Sequence, residues 1–202
     1  MGGGNVANAY YIQYKFILPE NIKHSTYTYQ KLFRAIYGYT QNVTKSNGKV
    51  YHYHRKGVLS DTPYLRPGKN AVIIHPSAFP KIKQFFATGQ NPSHAWRSKG
   101  DWKAVYYMDE KEVEDAKLVS ALEDWVDRTY IENNERFPVK LHDEVSTILD
   151  KHKLGEKPEE SKKSRVLNEA NSIISSEWFK SHHPKSQKLT DFNEKVKSLK
   201  GL

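Results

Sequence analysis

The triplet His52-Tyr53-His54 lies in the run Val50 to Arg55, whose β-branched and aromatic residues read as a strand. Alternate residues of a strand point to one face, so His52 and His54 fall together with Val50, and Tyr51, Tyr53 and Arg55 fall on the other side. Two imidazoles on one strand face are a candidate site for one divalent cation, Mg or Mn, and so for a metal-dependent nuclease. The bland alternative is that both rings pack or touch phosphate, since nine histidines in 202 residues bring two to this spacing readily. A second chemistry needs no metal: a histidine base, with a cation on the developing charge, cleaves RNA through its 2′-hydroxyl. His24, His52, His54, His75 and His94 are candidates, and no spacing selects among them.

With the upstream run YYIQYKFIL at 10–18 and Tyr106 or Tyr107 beside Lys111 downstream, the triplet resembles the His-hydrophobe-His element of rolling-circle replication initiators and related single-strand nickases. The resemblance implies that His52 and His54, with one further ligand, hold the metal, and that Tyr107 attacks phosphorus with Lys111 close by. It covers at most the first 111 residues and has Tyr53 where an aliphatic residue is usual. The segment YKFILPENIKHSTYTYQKLFRAIYG resembles the opening strand-loop-helix of CRISPR repeat-processing nucleases, whose C-terminal glycine-rich loop has no counterpart here.

A more distributed signal lies in the charge. Residues 1–108 carry 15 Lys and Arg against Glu20, Asp61 and Asp101, and 12 of the 13 tyrosines. Residues 109–154 are net acidic, and the whole chain is +9. Cations neutralise phosphates and release counterions, and flat rings stack on unpaired bases. The first half therefore reads as a binder of RNA or single-stranded DNA, with contacts from Tyr51, Tyr53, Arg55, Lys56, Arg66, Lys69, Arg97 and Lys99. The YYIQYK segment offers either Tyr11 and Lys15 or Tyr10 and Tyr14 to such a face. A non-enzymatic accessory of a larger complex is the leading expectation, and a structural protein that binds an acidic protein partner is the third class.

Several patterns are weighed and set aside. His142, Asp143, Glu144, Asp150 and His152 do not converge on a helix and read as solvated charge. His182 and His183 precede Pro184 in an expected loop. Helices at 139–154 and 163–180 could form a helix-turn-helix exposing Lys162, Lys163, Arg165, Asn168 and Asn171, although the connecting turn is long for the compact form. No phosphate-binding loop, dinucleotide fingerprint, HExxH or Ser-His-Asp signature is present.

The elements that must position these residues give an α+β class. Strands are expected at 10–18, from Lys49 to Leu59, in AVIIHP and in KAVYYM, with helices from about Thr26 to Thr40, capped by Ser25 or Thr26, and in SAFPKIKQFFATG. That order is β-α-β-β-(α)-β, compatible with a ferredoxin-like fold. It forms a basic, tyrosine-rich nucleic-acid-binding domain over 1–108. A helical module over 109–202 follows, with an acidic helix at 109–131 and three further helices, suited to packing on the first domain or on other proteins of a complex. The acidic helix could also compete with nucleic acid for the basic sheet.

The absence of cysteine rules out disulfides and thiolate metal sites and suggests a reducing compartment. No apolar run is long enough for a membrane span, and the start MGGGNVANAYY has neither a signal-peptide pattern nor the Ser or Thr that myristoylation wants at position six. It reads as a flexible end, and the expected location is cytoplasmic.

Overall fold

Strand β1 (Val6–Ile17) places Ile12, Tyr14 and Phe16 inward, all buried, and Gln13, Lys15 and Ile17 outward. A computed structural model describes residues 6–23, 27–93, 102–131 and 138–202. Strand β1 pairs antiparallel on one side with β5 (Ala71–Ile74) and on the other, over 12 residues, with β6 (Lys103–Glu114). The outer edge beyond β5 is β4 (Tyr64–Gly68), so the four-stranded antiparallel sheet has the order β4-β5-β1-β6. Helix α1 (Tyr27–Tyr37) follows β1, and α2 (Phe79–Thr88) follows β5. Taken without the ribbon inserted after α1, these elements interleave two split β-α-β units.

Both helices bury apolar stripes on the inward face of the sheet. Tyr29, Leu32, Ala35 and Ile36 of α1 and Ile82, Phe85 and Phe86 of α2 form one cluster with Ile12, Tyr14, Phe16, Val72, Ile74 and Trp102. The cluster is aromatic at its centre. Phe16 meets Phe33, Phe85 and Trp102 edge-on with ring centres 5.5–6.4 Å apart, an arrangement favoured by the ring quadrupoles.

Helix α1 ends at Gly38, whose φ of 76° lies in the left-handed region. The segment after the ribbon returns against that end: Val58 N–H donates to Ala35 O and Leu59 N–H to Ile36 O, each at 2.8 Å. A side chain at Gly57 would put its Cβ 2.6 Å from Ile36 O, so only glycine admits this approach.

Four sequence expectations need correction. The stretch Tyr64–Gly68 before AVII, outside the expected strands, is β4, which tolerates Pro67 because it is an edge strand with a register shift between Leu65 and Gly68. The run from Val50 to Arg55 is strand β3, but it pairs with β2 (Tyr39–Thr44) in a separate two-stranded ribbon and is not part of the four-stranded sheet. The acidic helix does not begin at Asp109. Asp109 to Glu114 continue β6 opposite Val6 to Tyr11, and α3 runs Asp115–Arg128. Beyond it, among the described residues, come four helices where three were expected: α4 (Leu141–Lys153), α5 (Glu160–Ile174), α6 (Glu177–His182) and α7 (Gln187–Lys200). The expected helix over 163–180 is broken at Ser175 and Ser176, where the Ser176 hydroxyl accepts from Phe179 N–H and starts α6.

The chain forms two compact units, one of Met1–Gln41 with His54–Glu114 and one of Asn42–Tyr53 with Asp115–Leu202. In the second, α3 buries Leu118, Ala121, Leu122, Trp125 and Val126, and α4 to α7 contribute Leu141, Val145, Val166, Ile173, Phe179, Leu189 and Val196 to the buried set. A short ribbon, β7 (Tyr130–Ile131) with β8 (Val139–Lys140), leads into α4. No helix among the described residues is long and apolar enough to cross a membrane.

Candidate nucleic-acid interface

The alternation of β1 and β6 sorts the tyrosines of the first unit into two populations. Tyr14 is 3% exposed and Tyr29 8%, and both belong to the core. Tyr10 packs edge-on against Phe79, Tyr37 lies against Tyr64, and Tyr106 leans on Phe79 and Phe86. On the opposite, outward face, Gln13 pairs with Tyr107, Lys15 with Val105 and Ile17 with Lys103. Tyr107 is 62% exposed and Val105 50%, and Gln13, Lys15 and Lys103 are also exposed. Further along this face the Lys111 ammonium sits 5.0 Å from the centre of the Tyr11 ring, a cation–π contact.

Beside Tyr107 the sheet leaves an open groove of about 630 Å³. Gln13, Tyr14 and Lys15 line it from β1, Val105, Tyr106 and Tyr107 from β6, Tyr29 from α1, and Lys69 and Asn70 from the turn between β4 and β5. Asn70 has φ 58°, and its carbonyl accepts the Tyr14 N–H at 2.9 Å, which fixes the turn against β1. Asparagine tolerates the left-handed conformation better than most residues do. Its Oδ1 is buried and accepts no hydrogen bond among the described residues.

Beneath the groove, Tyr14 and Tyr37 share a hydroxyl-to-hydroxyl bond of 2.9 Å, and the Arg66 guanidinium lies 4.4 Å from the Tyr37 ring centre. Burial pushes both phenols up, Tyr14 far above its ordinary range, and for Tyr14 its neighbour Tyr37 pushes the same way. Neither can serve as a phenolate nucleophile at neutral pH.

The residues named from sequence fall in several places. Tyr51 and Tyr53 lie on one side of β3, with near-parallel rings 6.4 Å apart and the Lys45 ammonium 4.4 Å from the Tyr51 ring centre. They belong to the second unit, whereas Arg55, Lys56, Arg66 and Lys69 belong to the first. Lys56 pairs with Asp61 at 3.2 Å, Arg66 serves the tyrosine pair, and Lys69 reaches the groove. Arg97 and Lys99 lie outside the described residues, as do His24, Ser25, Thr26 and His94.

For the nickase reading, His52 and His54 stand two apart on β3, and no group of three His, Cys, Asp or Glu among the described residues is arranged to hold a metal ion. Tyr107 and Lys111 share one face of β6, but four steps along the strand separate them by about 13 Å. His75, a candidate base, caps the 3-10 turn Pro76–Ala78 by accepting from Ser77 N–H.

In the second unit His182 is no loop residue. It is 3% exposed at the end of α6, with Nδ1 facing the Trp178 carbonyl and Nε2 facing Asp115 Oδ1, each at 3.0 Å. The Lys185 ammonium bonds the other Asp115 oxygen at 2.5 Å, and that bond, with His182, holds the Asp115 carboxyl below its usual range. Glu123 accepts from the Ser186 hydroxyl, Asp127 pairs with Lys188, and Lys162 pairs with the buried Glu144 at 2.6 Å. These acidic groups of α3 and α4 are therefore engaged within their own unit, and Lys162 faces inward instead of outward as a recognition helix would require.

The groove and the outward face of β1 and β6 are thus a place in the first unit where, among the described residues, exposed aromatic, amide and cationic side chains converge. Lys15 and Tyr11 were legible as one alternation of a strand. The pairing of Gln13 with Tyr107 was not, because the register between β1 and β6 leaves no local mark. No protein-family model matches the chain, and no curated protein or solved structure matches it.

Proposed function

We propose that this chain binds single-stranded nucleic acid, RNA by preference, through the outward face of β1 and β6, and acts as an accessory of a larger complex that it meets through its helices. The observation that carries this reading is Tyr107, a large aromatic ring 62% exposed and surrounded on its face by Gln13, Lys15, Val105 and Lys103. A monomeric protein gains nothing in stability from a ring held in water, whereas base stacking repays it with about 1–3 kcal/mol per base. The interleaved strand order, with α1 and α2 of the same unit on one face, also fits a ferredoxin-like unit, and RNA-recognition modules with four-stranded sheets stack bases on the open face. Lys15, Lys69 and Lys103 would follow the phosphates, while Tyr51, Tyr53 and Lys45 on the ribbon would offer a second stacking point.

Fluorescence anisotropy against single-stranded RNA, single-stranded DNA and duplex DNA across a salt series tests this. Tyr107→Ala should weaken single-strand affinity roughly five- to a hundredfold. Lys15→Ala and Lys103→Ala should each lower the slope of log affinity against log salt by about 0.7. Tight binding left unchanged by Tyr107→Ala would remove the face from consideration.

A further inference from the structure

The groove beside Tyr107 holds more than a flat stacking face needs. At about 630 Å³ it lies within the roughly 300–1,000 Å³ typical of small-ligand sites. It brings together two lysines from different elements, Lys15 on β1 and Lys69 in the turn between β4 and β5, and two side-chain amides, Gln13 and Asn70. The Asn70 backbone is held by its left-handed φ of 58° and by the carbonyl bond to Tyr14, and its side-chain amide extends from that fixed turn. Its buried Oδ1 has no donor among the described residues, and a buried acceptor left unpaired is costly. An amide presents an acceptor beside a donor, and the edge of adenine at N6 and N7 presents the complementary pair.

We propose that this groove is a single-nucleotide subsite selective for adenine, with the phosphate between Lys15 and Lys69, the base on Tyr107 and the Asn70 amide paired to the N6–N7 edge. The inference rests on the single-strand reading above and adds base selectivity to it. A purine also covers more of the Tyr107 ring than a pyrimidine does. Gln13, directly opposite Tyr107, is the second amide within reach of the stacked base. A strand would enter and leave through the open side of the groove.

Competition measures it directly. The full chain is loaded with a labelled single-stranded RNA, and AMP, CMP, UMP and ribose 5-phosphate are titrated in turn. AMP should displace the strand at the lowest concentration, roughly five- to a hundredfold below UMP, and ribose 5-phosphate should be weakest. Asn70→Gly keeps a residue suited to positive φ and deletes only the amide, so it should bring AMP and UMP together while leaving phosphate-dependent binding intact. Lys69→Ala should weaken all nucleotides alike.

Strand binding that no mononucleotide displaces would overturn the subsite and leave the single-strand reading standing. The subsite falls equally if ribose 5-phosphate competes as well as AMP, or if Asn70→Gly keeps the AMP preference. A wild-type protein that binds no single strand would overturn both.

Discussion

The Tyr14–Tyr37 pair makes an alkaline limit to the stability of the first unit that one substitution should move. Both hydroxyls are buried and bonded to each other at 2.9 Å, and burial raises both phenols above the ordinary value near 10. Below about pH 10 the phenols are protonated in the folded and unfolded states alike, and their contribution to stability is complete. Above it the unfolded chain releases two protons that the fold retains, so stability falls as pH rises. Each retained proton costs about 1.4 kcal/mol per pH unit, giving up to about 2.7 kcal/mol per unit for the pair. Tyr14→Phe deletes one of those protons. It loses a hydrogen bond worth about 1 kcal/mol at neutral pH, and Tyr37 keeps its contact with Arg66, which holds the loss to that size. The variant should therefore be the less stable protein at about pH 8, and should lose stability more slowly between about pH 10 and pH 11, so that the gap to the wild type closes. Urea unfolding followed by hydrogen exchange in peptides from β1 and α1 isolates the first unit. Parallel loss of stability in variant and wild type over that interval would contradict the proton count, because it would mean that Tyr14 ionises as readily in the fold as outside it.

Two further perturbations bear on the frame around the site. Gly57→Ala drives a Cβ to 2.6 Å from the Ile36 carbonyl oxygen, and the resulting backbone shift should cost about 2 kcal/mol or more in urea unfolding. In the second unit the Asp115 carboxyl is depressed first by the Lys185 bond and then by His182, so its contribution is present above the usual carboxylate value and is lost as pH falls through that value toward the folded one. Asp115→Asn should lower the thermal midpoint of the second unit at neutral pH, and the difference from the wild type should shrink as the pH falls below the usual carboxylate value.

How far the fold can be read in the chain depends on whether the determining interaction is local. The helix stripe of Tyr29, Leu32 and Ile36 and the alternation of Ile12, Tyr14 and Phe16 are written at fixed short spacing, and the structure buries both sets. Strand β4 hides behind Arg66-Pro67-Gly68, residues that signal a turn locally and are admitted to a strand only because the sheet order puts β4 at the edge. The second half of β6 hides for the opposite reason. Asp109 and Glu112 look like a helix start, but Val6 to Tyr11, about a hundred residues upstream, offer a ladder that outweighs the local preference.

The same distinction decides what could be known of the site. A count of tyrosines in a basic segment does not separate core from surface, and here the segment supplies both: Tyr14 and Tyr29 fill an aromatic core, while Tyr107 points away from it. Parity along β1 narrows the choice to two sets. Burial chooses between them, because α1 and α2 cover the side that carries Ile12 and Phe16. Once that side is fixed, Lys15 and Gln13 must face outward, and the 12-residue register carries Tyr107 and Val105 to the same face. The stacking surface is therefore a consequence of how the core is sealed, and a substitution that reversed the inward side of β1 would remove the surface and the core together. For that reason Tyr107→Ala, which touches only the outward side, separates binding from folding where a change at Tyr14 would confound them.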